Sequence, residues 1–346
     1  MTNNLTGEFL QELIDQAGAG DHVTIPQGEY LLDQSLVIDK PLHVTGDNRV
    51  HCLVNGYFHA VDIRADQVSL SGIRFAVEIE SDTSDFESLD EVPAIIHAYS
   101  VKECILHDCE LNAKGSHFLG VFLKKCESAR IEKICSRNAR FGILVFDSSK
   151  VCLERNQCHD NQFFGIVLAQ SKGRITRNEC YGNEVSGIQL QEKSFAHIIE
   201  NRCHDNEAGV LLIQSRGRIT GNECFGNLQD GIRFQESSGF VHNNTCHENW
   251  VGVAIVSGSF ATISGNRLYQ NSEAPVVFEN RDTSDSTVED NIEQAPEDNE
   301  LEQSWLARQP LGSALLELRL EIDRIDDLHS FIRSGCVGCF NRYWLS

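Results

Sequence analysis

The residues of this sequence best suited to chemistry come in a row. His159, His204 and His247 each follow a cysteine and precede an acidic residue, Asp160, Asp205 or Glu248, while the intervening copies of that position hold Tyr181, Phe225 and Tyr269. A histidine beside a carboxylate is the pair used in general acid–base catalysis, because the carboxylate fixes the tautomer and leaves the other ring nitrogen to move a proton. His159, His204, Asp205, His247 and Glu248 are therefore the candidate catalytic residues. Read as a surface, the same rings make a stacking platform for a sugar or a peptide, with Tyr181 and Phe225 as binding residues, or a ring stack that only stabilises a sheet. Repetition favours the last of these, since a catalytic centre is a single departure from a repeat.

The row exists because the chain repeats. Asn178-Glu-Cys180-Tyr-Gly-Asn183, followed by Gly187-Ile188-Gln-Leu190, is preceded by Asn156-Gln-Cys158-His-Asp-Asn161 and by the partial copy Cys135-Ser-Arg-Asn138. It is followed by copies beginning at Asn201, Asn222 and Asn244, and by Asn266-Arg-Leu268-Tyr-Gln-Asn271, which lacks the cysteine. Neighbouring copies are 21 to 23 residues apart, as in 222 − 201 = 21, 178 − 156 = 22 and 201 − 178 = 23. Each holds three short stretches of apolar alternation separated by Gly, Asn or Ser, which predicts three brief strands and three turns. A helix pair needs a period of about 33 residues or more, and the Leu spacing of a leucine-rich repeat is absent. What remains is an all-β, right-handed, single-stranded parallel β-helix, one coil per repeat, with coils about 4.8 Å apart.

The second asparagine of each copy, from Asn112 and Asn138 through Asn161, Asn183, Asn206, Asn227, Asn249 and Asn271, is expected to occupy one turn and bond its amide to the coils above and below. Cys109, Cys135, Cys158, Cys180, Cys203, Cys224 and Cys246 are expected to point inward as a column of reduced thiols, because parallel Cβ vectors in register are poorly placed to close disulfides. These residues resemble the β-helix repeat family shared by pectate-lyase-like proteins, including carbohydrate-binding and sugar-hydrolase members, by the maturation factor of nitrous oxide reductase and by certain F-box proteins. The resemblance covers most of residues 20 to 280 and implies the fold rather than an activity. Alginate epimerase and lyase members of the wider fold imply an Asp-Pro-His-type motif, which this sequence lacks.

Around the row lie two further outward columns. After the repeat's glycine the outward positions are Leu144 and Phe146, Val167 and Ala169, Gln189 and Gln191, Leu211 and Ile213, Arg233 and Gln235, then Ala254 and Val256. This face is mostly apolar, with no pair of carboxylates at a glycosidase spacing and no Arg or Lys cluster. An apolar stripe of that length is a contact surface, so Leu144, Phe146, Val167, Leu211, Ile213, Arg233 and Val256 are the candidate binding residues, covered by a C-terminal helix or by another chain. The third column, with Cys152, Arg174, His197, Arg218 and Phe240, shows no constellation.

Residues 1–20 predict an N-terminal capping helix begun by Thr6, and 21–280 the β-helix, interrupted by an acidic loop at 78–91. An acidic linker at 281–310 leads to an amphipathic helix and tail at 311–346. The tail's Cys336 and Cys339 are the metal or redox candidates, but zinc wants four ligands, so no metal is assigned and no cofactor is called for. The 346 residues carry 51 acidic against 29 basic side chains, a formal charge of −22, which argues against nucleic acid, anionic lipid and polyuronate as partners. No basic and apolar leader and no apolar stretch able to span a membrane is visible, which predicts a cytoplasmic protein. The sequence thus points first to a non-catalytic scaffold that binds a protein partner or itself. The alternative is a carbohydrate-active protein, a lyase, epimerase, hydrolase or sugar-binding module.

Overall fold

The computed structural model describes residues 5–79, 88–114, 117–278 and 286–294. Their main body is a parallel β-helix built from an eleven-stranded sheet and a 22-stranded sheet. The eleven-stranded sheet takes one strand per coil, from Leu36–Ile38 through Val61–Ile63, Ala94–Tyr99, Leu119–Lys124 and Phe141–Phe146 to Ala274–Phe278. The larger sheet has two arms, joined where the long strands His43–Val54 and Ser69–Val77 run through both. One arm contains Val151–Glu154, Lys172–Thr176, Phe195–Ile199, Arg216–Thr220, Ser238–His242 and Phe260–Ser264. The other contains Gln157–His159, Glu179–Tyr181, Arg202–His204 and their successors.

Inward residues alternate with outward ones along every strand, so Ile188, Leu190, Ile198 and Cys203 of one coil are all fully buried. The repeat's glycine sits where two coils touch: a Cβ on Gly165 would stand 2.6 Å from the carbonyl oxygen of Gly187 and 3.1 Å from Nδ2 of Asn183. Only glycine permits that approach.

Two asparagine ladders run through the turns, rather than one. The expected ladder links Asn161 to Asn183 (2.8 Å), Asn183 to Asn206 (2.9 Å), and so on to Asn271. The motif's first asparagine makes a second, from Asn156 through Asn178, Asn201, Asn222, Asn244 and Asn266 to Asn291. Each amide also donates to a backbone carbonyl, as Asn201 does to Ile175 at 2.9 Å, so a buried polar residue is fully used.

The partial copies fall one or more residues out of register. Ser136, not Cys135, pairs with Cys158, and Leu111, not Cys109, pairs with Ser136. The thiol column is therefore Cys158, Cys180, Cys203, Cys224 and Cys246, whereas Cys135 is half-buried on the outer side, where its Sγ lies 3.7 Å from His159 Nε2. Likewise Ala139, not Asn138, donates its N–H to Asn161, and Asn138 bonds Asn112 in a separate pair. All described cysteines are free thiols. Burial, with its thiol neighbours adding, pushes Cys180 well up from the ordinary thiol range.

The helix Gly7–Gln16 buries Leu10 and Ile14 against the first coils, with Thr6 preceding it in extended backbone. Inside the stretch expected as a linker, Thr287–Glu289 adds a strand to Phe260–Ser264. The expected C-terminal helix, Cys336 and Cys339 lie outside the described residues, as does most of the acidic loop. No helix of the described residues is long and apolar enough to cross a membrane.

Candidate functional site

The row of rings forms a continuous stack. His159, Tyr181, His204, Phe225, His247 and Tyr269 follow one another at centroid distances of 4.7, 5.0, 4.6, 5.1 and 5.0 Å, with planes within 13° of parallel. That spacing is the coil rise, so each ring's faces are covered by its neighbours and only edges reach outward. A sugar cannot stack on those faces. The neighbouring carboxylates hold the histidines at Nδ1: Asp160 is 2.7 Å from His159, Asp205 is 2.7 Å from His204, and Glu248 is 3.3 Å from His247. On the other edge, Glu179 lies 3.6 Å from His204 Nε2, and Glu223 lies 3.8 Å from His247 Nε2. Burial opposes the charge on His247, but Glu223 and Glu248 outweigh it and push its pKa up to about 9. Its partner Glu223 is drawn down to about 2, by His247 first and then by Arg202. His247 is thus an ion-paired histidine within the stack, and His159 and His204 are held by carboxylates in the same way at Nδ1.

The apolar stripe runs along the eleven-stranded sheet, interrupted by Gln189 and Gln191 and again by Arg233 and Gln235. Leu144, Val167, Ala254 and Val256 are buried, and Phe146, Leu211, Ile213 and Arg233 are half-buried. Arg233 is tied to Asp230 at 2.9 Å.

In the first coils the same outward columns change character. Opposite one another in register stand Asp62, His97, Phe122 and Leu144; beside them Tyr99, Lys124 and Phe146 are in register. Arg64 follows Asp62 two residues on, at the end of the strand Val61–Ile63. Asp62 is buried and receives three nitrogens: His97 Nδ1 at 2.9 Å, Arg64 Nε at 2.7 Å and an Arg64 Nη at 2.6 Å. Burial alone would raise this carboxyl; the hydrogen bonds from His97 and Arg64 more than offset it and leave Asp62 below its ordinary pKa, hence ionised. The pairing puts a proton on His97 Nδ1.

His59 stacks on His97 at 4.1 Å and 16°. Its Nδ1 accepts the Ala94 N–H at 3.0 Å, and burial, reinforced by His97, pushes it down to about 4, so the ring is neutral. Around this core, Lys125 Nζ reaches Tyr99 Oη at 3.5 Å, and Lys124 lies over Phe146 at 5.8 Å. Asp62, Arg64, His97, Tyr99 and Lys124 escaped the sequence reading because their coils carry no Asn-x-Cys motif to align them. The available signal was the alternation itself: Asp62 with Arg64, and His97 with Tyr99, each i and i+2 on one strand face. Among the described residues no group of three or more His, Cys, Asp or Glu is placed to hold a metal ion.

The Right handed beta helix region family matches residues 94–224 and 204–294, more than half of the chain. No curated protein matches the sequence. Among solved structures, the Azotobacter vinelandii mannuronan C-5 epimerase AlgE4 A-module is similar at a TM-score of 0.63 and 18% identity, over 82% of this chain and 89% of its own. The periplasmic alginate epimerase AlgG is similar at 0.55 and 13%, over 84% of each chain. A hyperthermoactive exopolygalacturonase from Thermotoga maritima is similar at 0.56 and 10%, over 81% of this chain and 86% of its own.

Two expectations are corrected by these likenesses. The non-catalytic scaffold is displaced, because the similar structures are carbohydrate-active β-helix enzymes. The cytoplasmic placement falls too, since a protein alike over 84% of its length is periplasmic. Family match and coil geometry agree: this chain belongs to the right-handed β-helix family.

Proposed function

We propose that the protein is a carbohydrate-active enzyme that moves a proton at the sugar carbon beside a carboxylate, with the site at Asp62, Arg64, His97, Tyr99 and Lys124. One observation carries this reading: a histidine held at Nδ1 by a buried, ionised Asp62, with Arg64 on the same carboxylate and Lys124 one coil on. The likeness to epimerases and a polygalacturonase supports the substrate class.

The chemistry follows from the charges. Arg64 and Lys124 neutralise the carboxylate of a uronate, which makes the adjacent C–H more acidic. His97 Nε2 takes that proton, the electron pair spreads into the carboxylate, and Asp62 stabilises the imidazolium that forms. Protonation of the opposite face from Tyr99 Oη inverts the carbon. Expulsion of the β oxygen, which takes up the Tyr99 Oη proton as it leaves, instead breaks the glycosidic bond and leaves an unsaturated sugar. The earlier exclusion of polyuronate rested on net charge, whereas the ligand meets the local cations.

Incubation with polymannuronate, polyguluronate and polygalacturonate tests this. Turnover of at least one is expected, reduced about a hundredfold or more in His97→Ala and Asp62→Ala. Full activity in His97→Ala, or activity confined to neutral glucans, would sink the reading.

A further inference from the structure

The arm that contains Lys172–Thr176 carries a second charged face, on a different sheet from the Asp62 site. Lys172, Phe195, Arg216, Ser238 and Phe260 succeed one another in register along one outward column. The adjacent column runs Arg174, His197, Arg218 and Phe240. In each column two cations stand two coils apart, about 10 Å: Lys172 and Arg216 in the first, Arg174 and Arg218 in the second. A groove of about 740 Å³ opens beside them, lined by Lys172, Lys193, Phe195, Arg216, Glu236 and Phe260.

Three features separate this face from ordinary solvated surface. First, Lys172, Arg174, Lys193, Arg216 and Arg218 are exposed and form no ion pair with a described carboxylate. In a chain with 51 acidic and 29 basic side chains that is against composition, and many cations elsewhere on the coils are paired, such as Arg177 with Glu200 at 2.8 Å and Arg202 with Glu179 at 2.8 Å. Second, aromatics alternate with and flank the cations: Phe195, half-buried, stands between Lys172 and Arg216, and beyond the arginines Phe240 and Phe260 are each 50% exposed, with Arg218 5.4 Å from the Phe240 ring centre. Third, the groove's carboxylate, Glu236, is engaged by Gln214 Nε2 at 2.8 Å rather than by a cation.

We propose that this face binds a linear acidic polysaccharide bearing one anionic group per two sugars. Such a chain, laid across the coils, presents a carboxylate to each cation row and an apolar sugar face to Phe195 between the rows and to Phe240 and Phe260 beyond them. Nucleic acid fits poorly, since a duplex carries one negative charge per about 1.7 Å and the cation rows repeat about every 10 Å. The claim is independent of the Asp62 chemistry, because it concerns binding alone and uses other residues.

The test is binding of hyaluronan, one carboxylate per disaccharide, to the full chain at low salt, with neutral dextran and duplex DNA as comparators. Hyaluronan is expected to bind, dextran not. Affinity should fall at least tenfold in the double variant Arg216→Gln, Arg218→Gln and again in Lys172→Gln, Arg174→Gln, with thermal unfolding unchanged, and fall as salt rises. In His97→Ala it should stay within twofold. No binding by the unsubstituted chain, binding undiminished in both the arginine and the lysine double variant, loss in His97→Ala, or tighter binding of duplex DNA would each overturn the proposal.

Discussion

His247 and His97 show how the same side chain takes different duties from its neighbours. His247 has a carboxylate on each nitrogen, Glu248 at 3.3 Å and Glu223 at 3.8 Å, and is wedged between Phe225 and Tyr269. His97 has Asp62 on one nitrogen, while among the described residues the other meets no hydrogen-bond partner. The first histidine is locked as a charge; the second can exchange a proton. Because the folded pKa of His247, about 9, lies above the unfolded value of about 6.5, its stabilisation is complete below pH 6.5 and is lost as pH rises to about 9. Chemical unfolding should show the native chain losing on the order of 2 kcal/mol across that window relative to His247→Gln. Parallel pH profiles for the two would refute the assignment. The sequence drew attention to His159, His204 and His247 because they repeat, and repetition is what makes them structural. Asp62 and His97 were hidden by the converse: they belong to coils of irregular length, where no motif marks which residues meet.

At the scale of one coil, the asparagine ladders hold register. Asn201 donates to Asn222 Oδ1 and Ile175 O and accepts from the backbone and side-chain nitrogens of Asn178, all at 2.9 Å in a buried turn. Asn201→Ala leaves those partners buried and unpaired, and should cost about 2–5 kcal/mol by urea unfolding. A loss under about 1 kcal/mol would mean the ladder is incidental. The ladder from Asn161 to Asn271 was readable because Asn tolerates turns, and the strands because their apolar residues alternate. The second ladder went unread, although its asparagines open every motif copy, because a residue just before a strand gives no local sign of facing inward. The misplacement of Cys109 and Cys135 has a similar cause: Ile134 occupies the position of Asn156, and without the first asparagine nothing in the partial copy fixes the register.

For the β-helix body as a whole, the lesson concerns charge. A net −22 suggested repulsion of every polyanion, yet charges more than about 8 Å apart are largely screened, and the described cations are not evenly spread. Arg64, Lys124 and Lys125 gather beside His97 on one sheet, and Lys172, Arg174, Arg216 and Arg218 on another. The fold was legible in a single sequence because a stacked repeat states its rule many times. The site was not, because it is written once. Proton transfer at the carbon beside a uronate carboxylate, through His97, is the central claim, and solvent exchange reads it directly. With polymannuronate and polygalacturonate in deuterated water, the native chain should place deuterium at that carbon in the intact sugars of at least one polymer, or remove the hydrogen from it in an unsaturated product. His97→Ala should abolish the exchange. Retention of the original hydrogen in every polymer that the protein turns over, or exchange undiminished in His97→Ala, would contradict it.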